Sequence, residues 1–230
     1  MIMKNFLILS ASLFAIFLFS SCTTVYIPTE INAPAFNESN QFKGGISYGT
    51  GGVSLTTGYS FYGNFGMIAD ISYLNKKGNE PRFQRQWGMG LGYFTRAAED
   101  SIFYEGFVGF SLARTNSSYE DQAYTFGPGY ENADYYRLFF QNDFSYQQEF
   151  IDFIVSLKFS YFNFSRYESN EHINPEMPTA FGVEPAFKIR MGGEFLKMKL
   201  QMGLNLIAPI KGPNFHYSNS FLLIGLECSF

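Results

Sequence analysis

Leu196-Lys197-Met198-Lys199-Leu200-Gln201-Met202-Gly203-Leu204-Asn205-Leu206 is the stretch that decides the fold. Large apolar side chains take every second position, and Lys, Lys, Gln, Gly and Asn take the positions between. A period of two sends the two sets to opposite faces of an extended chain, so the stretch reads as a β-strand with one greasy face. Phe181 to Met191 behaves in the same way. Phe181, Val183, Pro185, Phe187, Ile189 and Met191 share one face, and Gly182, Glu184, Ala186, Lys188 and Arg190 share the other. Pro185 removes a ladder donor and predicts a bulge or local distortion.

The same alternation, followed outward from Phe42, predicts about ten strands, with eight as the alternative count, within the even-numbered range of bacterial barrels. They fall near 41–49, 52–61, 65–75, 84–96, 102–115, 134–147, 151–165, 179–191, 195–207 and 220–230. After the first hairpin, short connections (62–64, 97–101, 148–150, 192–194) alternate with longer ones (76–83, 116–133, 166–178, 208–219). Short turns at one end and long loops at the other characterise outer-membrane barrels. The expected fold is therefore all-β, a closed antiparallel up-and-down transmembrane β-barrel. The C-terminus and the short turns are expected on the periplasmic side.

Composition agrees. Of the 230 residues, 16% are charged and 20% aromatic, and Gly is abundant. Soluble domains carry about 25% charged residues. No apolar run of about 20 residues follows the N-terminus, so a helical span of the mature chain is not expected. A formal net charge of -4 offers no basic footprint for nucleic acid. Two cysteines and two histidines provide no metal-ligand spacing, and no cofactor is expected.

Volume decides which face is outside. The apolar face holds Phe110, Leu138, Phe140, Phe144, Phe159, Tyr161, Leu200 and Met202, too much to pack inside a small barrel. Lipid is the expected solvent for that face. Tyr48, Tyr73, Trp87, Tyr136 and Tyr161 are expected at the outer interface, and Tyr59, Phe61, Tyr93, Tyr104, Tyr146 and Phe153 at the inner one.

Residues 1–21 read as a signal peptide, with Lys4 before an apolar run from Phe6 to Phe19. Phe19-Ser20-Ser21-Cys22 resembles the lipobox of bacterial lipoproteins, although Phe19 stands where an aliphatic residue is usual. That resemblance implies acylation at Cys22. Residues 22–40 are expected to be the lipidated N-terminus and an extended periplasmic tether, because they carry prolines and many polar residues. The barrel is expected over 41–230, with the lipid anchor on the periplasmic side.

The last strand, Phe221 to Phe230, places Leu222, Ile224, Leu226 and Cys228 at alternate positions before a terminal aromatic. It resembles the C-terminal signature of Gram-negative outer-membrane proteins. The resemblance implies a bacterial outer-membrane address and recognition by the barrel-assembly machinery through Phe230.

On this register the inward charges are Lys43, Asp70, Glu105, Arg137, Asp143, Lys158, Glu184, Lys188, Arg190, Lys197, Lys199 and Glu227. Lys188, Arg190, Lys197 and Lys199 form a cationic stripe beside Arg137, with Glu184, Glu105 and Asp143 as counterions. An ion-paired scaffold is the favoured reading and a narrow anion-selective conduit the rival. The glycines of Gly88-Met89-Gly90-Leu91-Gly92 alternate along a strand with no helix after them. They fail as a phosphate cradle and instead make room for neighbours such as Phe107 and Phe139. His172 and His216 fall in expected external loops, with no spacing that ties either to a carboxylate. The chain is therefore read as non-enzymatic, an envelope or surface-interaction protein whose external loops meet a partner. A rim-located hydrolase or acyltransferase is the other alternative.

Overall fold

The computed structural model describes residues 25–78, 81–96, 101–119, 129–170 and 176–230. Its strands are β1 (Phe42–Gly49), β2 (Gly52–Ser60), β3 (Phe65–Lys76), β4 (Arg82–Arg96), β5 (Ile102–Tyr119), β6 (Gly129–Gln147), β7 (Ile151–Ser169), β8 (Thr179–Gly192), β9 (Leu196–Leu204), β10 (Leu206–Lys211) and β11 (Ser220–Ser229). Each pairs antiparallel with its neighbours. β1 closes the circle on β11, and β9 joins β11 to β8. Because β9 and β10 are two halves of one polypeptide stave, the result is a closed ten-stave barrel.

The break between them has a cause on β8. Register continues across Pro185 on the β7 side, where Leu157 faces it. On the other side β8 pairs with β10 up to Val183 and with β9 from Ala186 onward. Proline has no N–H to give, so the ladder lapses there without a change of register. The bulge or local distortion expected at Pro185 takes the form of an interruption. Asn205, in the gap, donates its backbone N–H to the Asn219 carbonyl at 2.8 Å.

Three staves outrun their expected ends. β5, β6 and β7 continue to Tyr119, back to Gly129 and on to Ser169, so 116–119 and 129–133 are ladder and not loop. Outward positions there turn polar (Asn116, Ser118, Asn132), which ends the hydrophobic alternation although the hydrogen bonding continues.

The two faces have opposite character. Leu91 is 65% exposed, Val108 59% and Leu138 52%, and a belt of such residues girds the outside. Soluble monomers rarely expose contiguous apolar patches beyond a few hundred Å². Lipid solvates such a belt, and closure leaves no open sheet edge in hydrocarbon. Inside, Lys43, Asp70, Glu105, Arg137, Asp143, Lys158, Glu184, Lys188, Arg190, Lys199 and Glu227 are all buried, with Lys197 half-buried at the rim. Gly90 and Gly109 lie against Phe139, and Gly92 lies against Phe107.

Candidate functional site: an occupied lumen

The sequence N-terminal to β1 does not behave as a tether. Val25, Tyr26, Ile31, Ala33, Ala35 and Phe36 are at most 1% exposed, although they precede the barrel. Val25 donates its N–H to the His216 carbonyl at 2.8 Å, and Tyr26 bridges to Tyr217, at the long-loop end. Fifteen residues on, Asn40 and Gln41 hydrogen-bond Ser60, at the end holding the short turns and Phe230. The segment therefore runs the length of the lumen, from the loop end to the terminus end. The periplasmic tether expected over 22–40 is corrected from residue 25 onward, while Cys22 lies outside the described residues.

Past Tyr26 the segment joins no ladder of the wall, so its backbone groups need other partners. Inward glutamines supply two of them. The Gln84 amide receives the Ile27 N–H at 3.1 Å and donates to the Ile27 carbonyl at 2.8 Å. Gln201 does the same for Ile31, with both bonds at 3.2 Å. A carboxamide presents one acceptor and one donor side by side, the complement of the N–H and C=O that one residue turns to the same side. Gln141 donates to the Asn32 carbonyl at 2.9 Å, and Asn32 in turn donates to the carbonyls of Thr57 and Ala69.

Lower down, Ala35 adopts φ 54°, a left-handed conformation that is costly for a residue with a Cβ. It allows consecutive N–H groups to converge on one anion. Ala35 and Phe36 both donate to the Glu105 carboxylate, at 2.9 and 2.7 Å. Lys43 and Gln147 donate to the Ala35 carbonyl, at 2.6 and 3.1 Å, and Arg190 donates to that of Pro34 at 2.9 Å.

The charged stripe finds its counterion in the segment itself. Glu30 accepts from Lys199 at 2.5 Å and from Ser47 at 2.6 Å, and lies 3.6 Å from Lys188. Arg190 pairs with Glu227 and with Asp152 at 3.0 Å, and Lys197 with Asp152 at 2.8 Å. Of the three expected counterions, Glu184 pairs with Arg137 at 3.1 Å, Glu105 binds backbone, and Asp143 accepts from Gln141 at 2.7 Å. The sequence reading missed Glu30 and Asp152 because one was assigned to a tether and the other to a strand start. Arg137 also donates to the Tyr26 hydroxyl at 2.7 Å, which donates in turn to Glu184 at 3.0 Å.

Apolar anchors fix the two ends. Tyr26 packs edge-on to Phe162 at 4.9 Å within a cluster that includes Tyr135, Phe164 and Phe215. Phe36 packs with Ile68, Phe94, Phe107 and Phe139. Gly58 and Gly66 admit its ring, since a Cβ on either would stand 2.9 Å from a ring carbon.

Below the segment an open vestibule of about 790 Å³ faces the terminus end, lined by Lys43, Asp152, Arg190, Lys197 and Glu227 among others. At the opposite rim, His216 Nδ1 lies 3.3 Å from Glu131, whose second oxygen accepts from the Tyr167 hydroxyl at 2.7 Å. A histidine and a carboxylate thus do meet there, which spacing did not predict. The Ser218 hydroxyl donates to the Ser220 carbonyl at 2.9 Å. His172 lies outside the described residues. Phe230 exchanges both backbone bonds with Phe42 at 2.9 Å and stacks edge-on to Phe195 at 4.7 Å, at the closing seam.

These features define a closed membrane β-barrel whose lumen is a receptor for a segment of its own chain. No protein-family model matches the sequence, and no curated protein matches it. Among solved structures, it is similar in general shape to the translocator domain of the autotransporter NalP from Neisseria meningitidis, at 9% identity and a TM-score of 0.45, over 83% of this chain and 86% of that one. It is also similar to a bacterial polysaccharide outer membrane secretin, at 9% identity and a TM-score of 0.25, over 85% and 99% of the chains. A third is OmpT, an outer membrane protein of Vibrio cholerae, at 7% identity and a TM-score of 0.20, over 83% and 95%. Likeness at this level says nothing of activity.

Proposed function

We propose that this chain is a self-plugged barrel of the bacterial outer membrane that carries its own N-terminus to the cell surface and acts there, without catalysis, as an envelope or surface-interaction protein. The observation that carries the reading is the unbroken burial of the segment from Val25 to Phe36, held by side chains from staves all around the lumen. A narrow conduit needs a continuous aqueous path, and the segment fills the route above the vestibule. Partners of stated chemistry follow: outer-membrane lipid around the belt, the barrel-assembly machinery at Phe230, and an envelope or surface protein at the external rim.

Threading reverses the expected position of the lipid. Two residues separate Cys22 from Val25, and the three extended steps span at most about 11 Å. An acyl group on Cys22, implied by the lipobox resemblance, then belongs with the outer leaflet and not the inner one. The lumen is too full to pass an acylated end afterwards, so the segment takes its place before β1 meets β11.

Labelling of intact cells tests this reading. In a Cys228→Ser background, Thr23→Cys is expected to react with a membrane-impermeant maleimide in whole cells. Ser39→Cys is expected to react only after the outer membrane is opened. The reverse pattern rejects the threading direction.

A further inference from the structure

Outside the lumen, adjacent staves carry charge at one level on the lipid-facing side. The pairing registers align Tyr73 with Arg85, Arg85 with Arg114, Arg114 with Asp134, and Asp134 with Arg166. The next outward row toward the barrel's middle is Ile71, Trp87, Leu112 and Tyr136, all exposed. Two residues along a strand are about 6.6 Å, so the arginines stand directly above the last apolar row, at headgroup depth.

Arg166 reaches this row through a bulge. The β6–β7 register shifts between Asp134 and Tyr135, which leaves Ser165 without an opposite residue and turns both Ser165 and Arg166 outward. A bulge of this kind re-aims a side chain that simple alternation would send inward.

The charges in the row do not balance. Asp134 accepts from Arg114 at 2.8 Å and 3.3 Å, and Glu168 accepts from Arg166 at 3.0 Å and 2.9 Å. Arg85 is exposed, has no carboxylate partner among the described residues, and sits directly across from Arg114. Like charges directly opposite across a ladder destabilise it unless something neutralises them. Between the two arginines lies an exterior groove of about 380 Å³, with Trp87, Leu112 and Tyr136 along its apolar side. That side is continuous with the lipid-facing belt, so the molecules that reach it are lipids. Guanidinium forks match phosphate oxygens in pairs, and the aromatic and aliphatic floor suits an acyl chain.

We propose that Arg85 and Arg114 form a headgroup site for a phosphorylated lipid of the outer leaflet, whose acyl chain lies along Trp87, Leu112 and Tyr136. The site shares the outer-membrane orientation proposed above but does not depend on the threaded segment, so failure of the maleimide test leaves it standing.

The test uses the full mature chain, released in mild detergent and analysed by native mass spectrometry with bisphosphorylated lipid A as the probe. The wild type is expected to retain the lipid. Arg85→Gln with Arg114→Gln is expected to lower retention about tenfold or more, the scale of losing charge-assisted bonds. Arg114→Lys keeps the charge without the fork and is expected to fall between. Arg96→Gln, at the opposite end, is expected to match the wild type. Unchanged heat-modifiable migration on gels verifies that each barrel is folded. Equal retention by the double variant overturns the proposal, as does absence of any adduct. Displacement of the lipid by millimolar inorganic phosphate overturns it too, because the site would then take the ion alone.

Discussion

Replacing Glu30 by alanine should release the N-terminal segment from the lumen while the barrel persists. Glu30 is the carboxylate that Lys199 and Lys188 share, at 2.5 and 3.6 Å, and all three side chains are at most 1% exposed. Removing one member of a buried ion pair costs about 3–5 kcal/mol, because the remaining charge keeps its desolvation penalty without its partner. Two stranded ammoniums place the loss toward the upper end of that range. Thr56 Oγ1 at 3.3 Å and the Ala33 carbonyl at 3.3 Å remain for them, neither of which carries charge. At 1.4 kcal/mol per factor of ten, docking weakens by roughly a hundredfold to a few thousandfold. Hydrogen exchange reads this directly, since the Ile31, Ala35 and Phe36 amides are bonded only while the segment is docked. Their exchange is expected to accelerate by about that factor in Glu30→Ala, while the β5–β6 ladder stays protected. Adding Lys188→Ala and Lys199→Ala should recover much of the protection by removing the stranded charges. Unchanged exchange in Glu30→Ala would refute the reasoning.

Other expectations share the same geometry. Gln84→Ala and Gln201→Ala each leave the N–H and C=O of one segment residue, Ile27 or Ile31, without their clasp, and each should cost about 1–3 kcal/mol of docking by the same exchange measurement. Gly66→Val drives a side chain into the Phe36 ring and should expose the segment to added protease, and Phe36→Ala in that background should restore protection. Ala35→Gly relieves the left-handed strain at φ 54° and should leave docking as strong or slightly stronger, read as slower exchange at Phe36.

The barrel was legible in the sequence because its physics is local. Each stave shows its lipid face at every second residue, as Leu196 to Leu206 does, and that alone sets orientation and register. The ends of β5 to β7 were not legible, since above the lipid Asn116 and Asn132 alternate polar with polar. The inward charges follow from alternation, and of their carboxylate partners Glu184 was expected while Glu30 and Asp152 were not. Partnership across a lumen joins residues far apart in sequence, such as Glu30 with Lys199, and no periodicity reports it. One signal for the plug was available. Val25, Tyr26, Ile27, Ile31, Ala33, Ala35 and Phe36 are an odd complement for a solvated linker. Inward glutamines at 84, 141 and 201 were the matching hint on the wall. His216 and Glu131 met for a related reason, because the β6 extension carried Glu131 up to the rim.

Covalent capture inside living cells tests the occupied lumen most directly. A photoreactive amino acid at position 31 of the full chain should cross-link within the same molecule, to the wall formed by Ala186, Phe221 and Leu223. Peptide mapping of the adduct should recover those positions on β8 and β11. Adducts to another envelope protein, with none to the barrel's interior wall, would contradict the account.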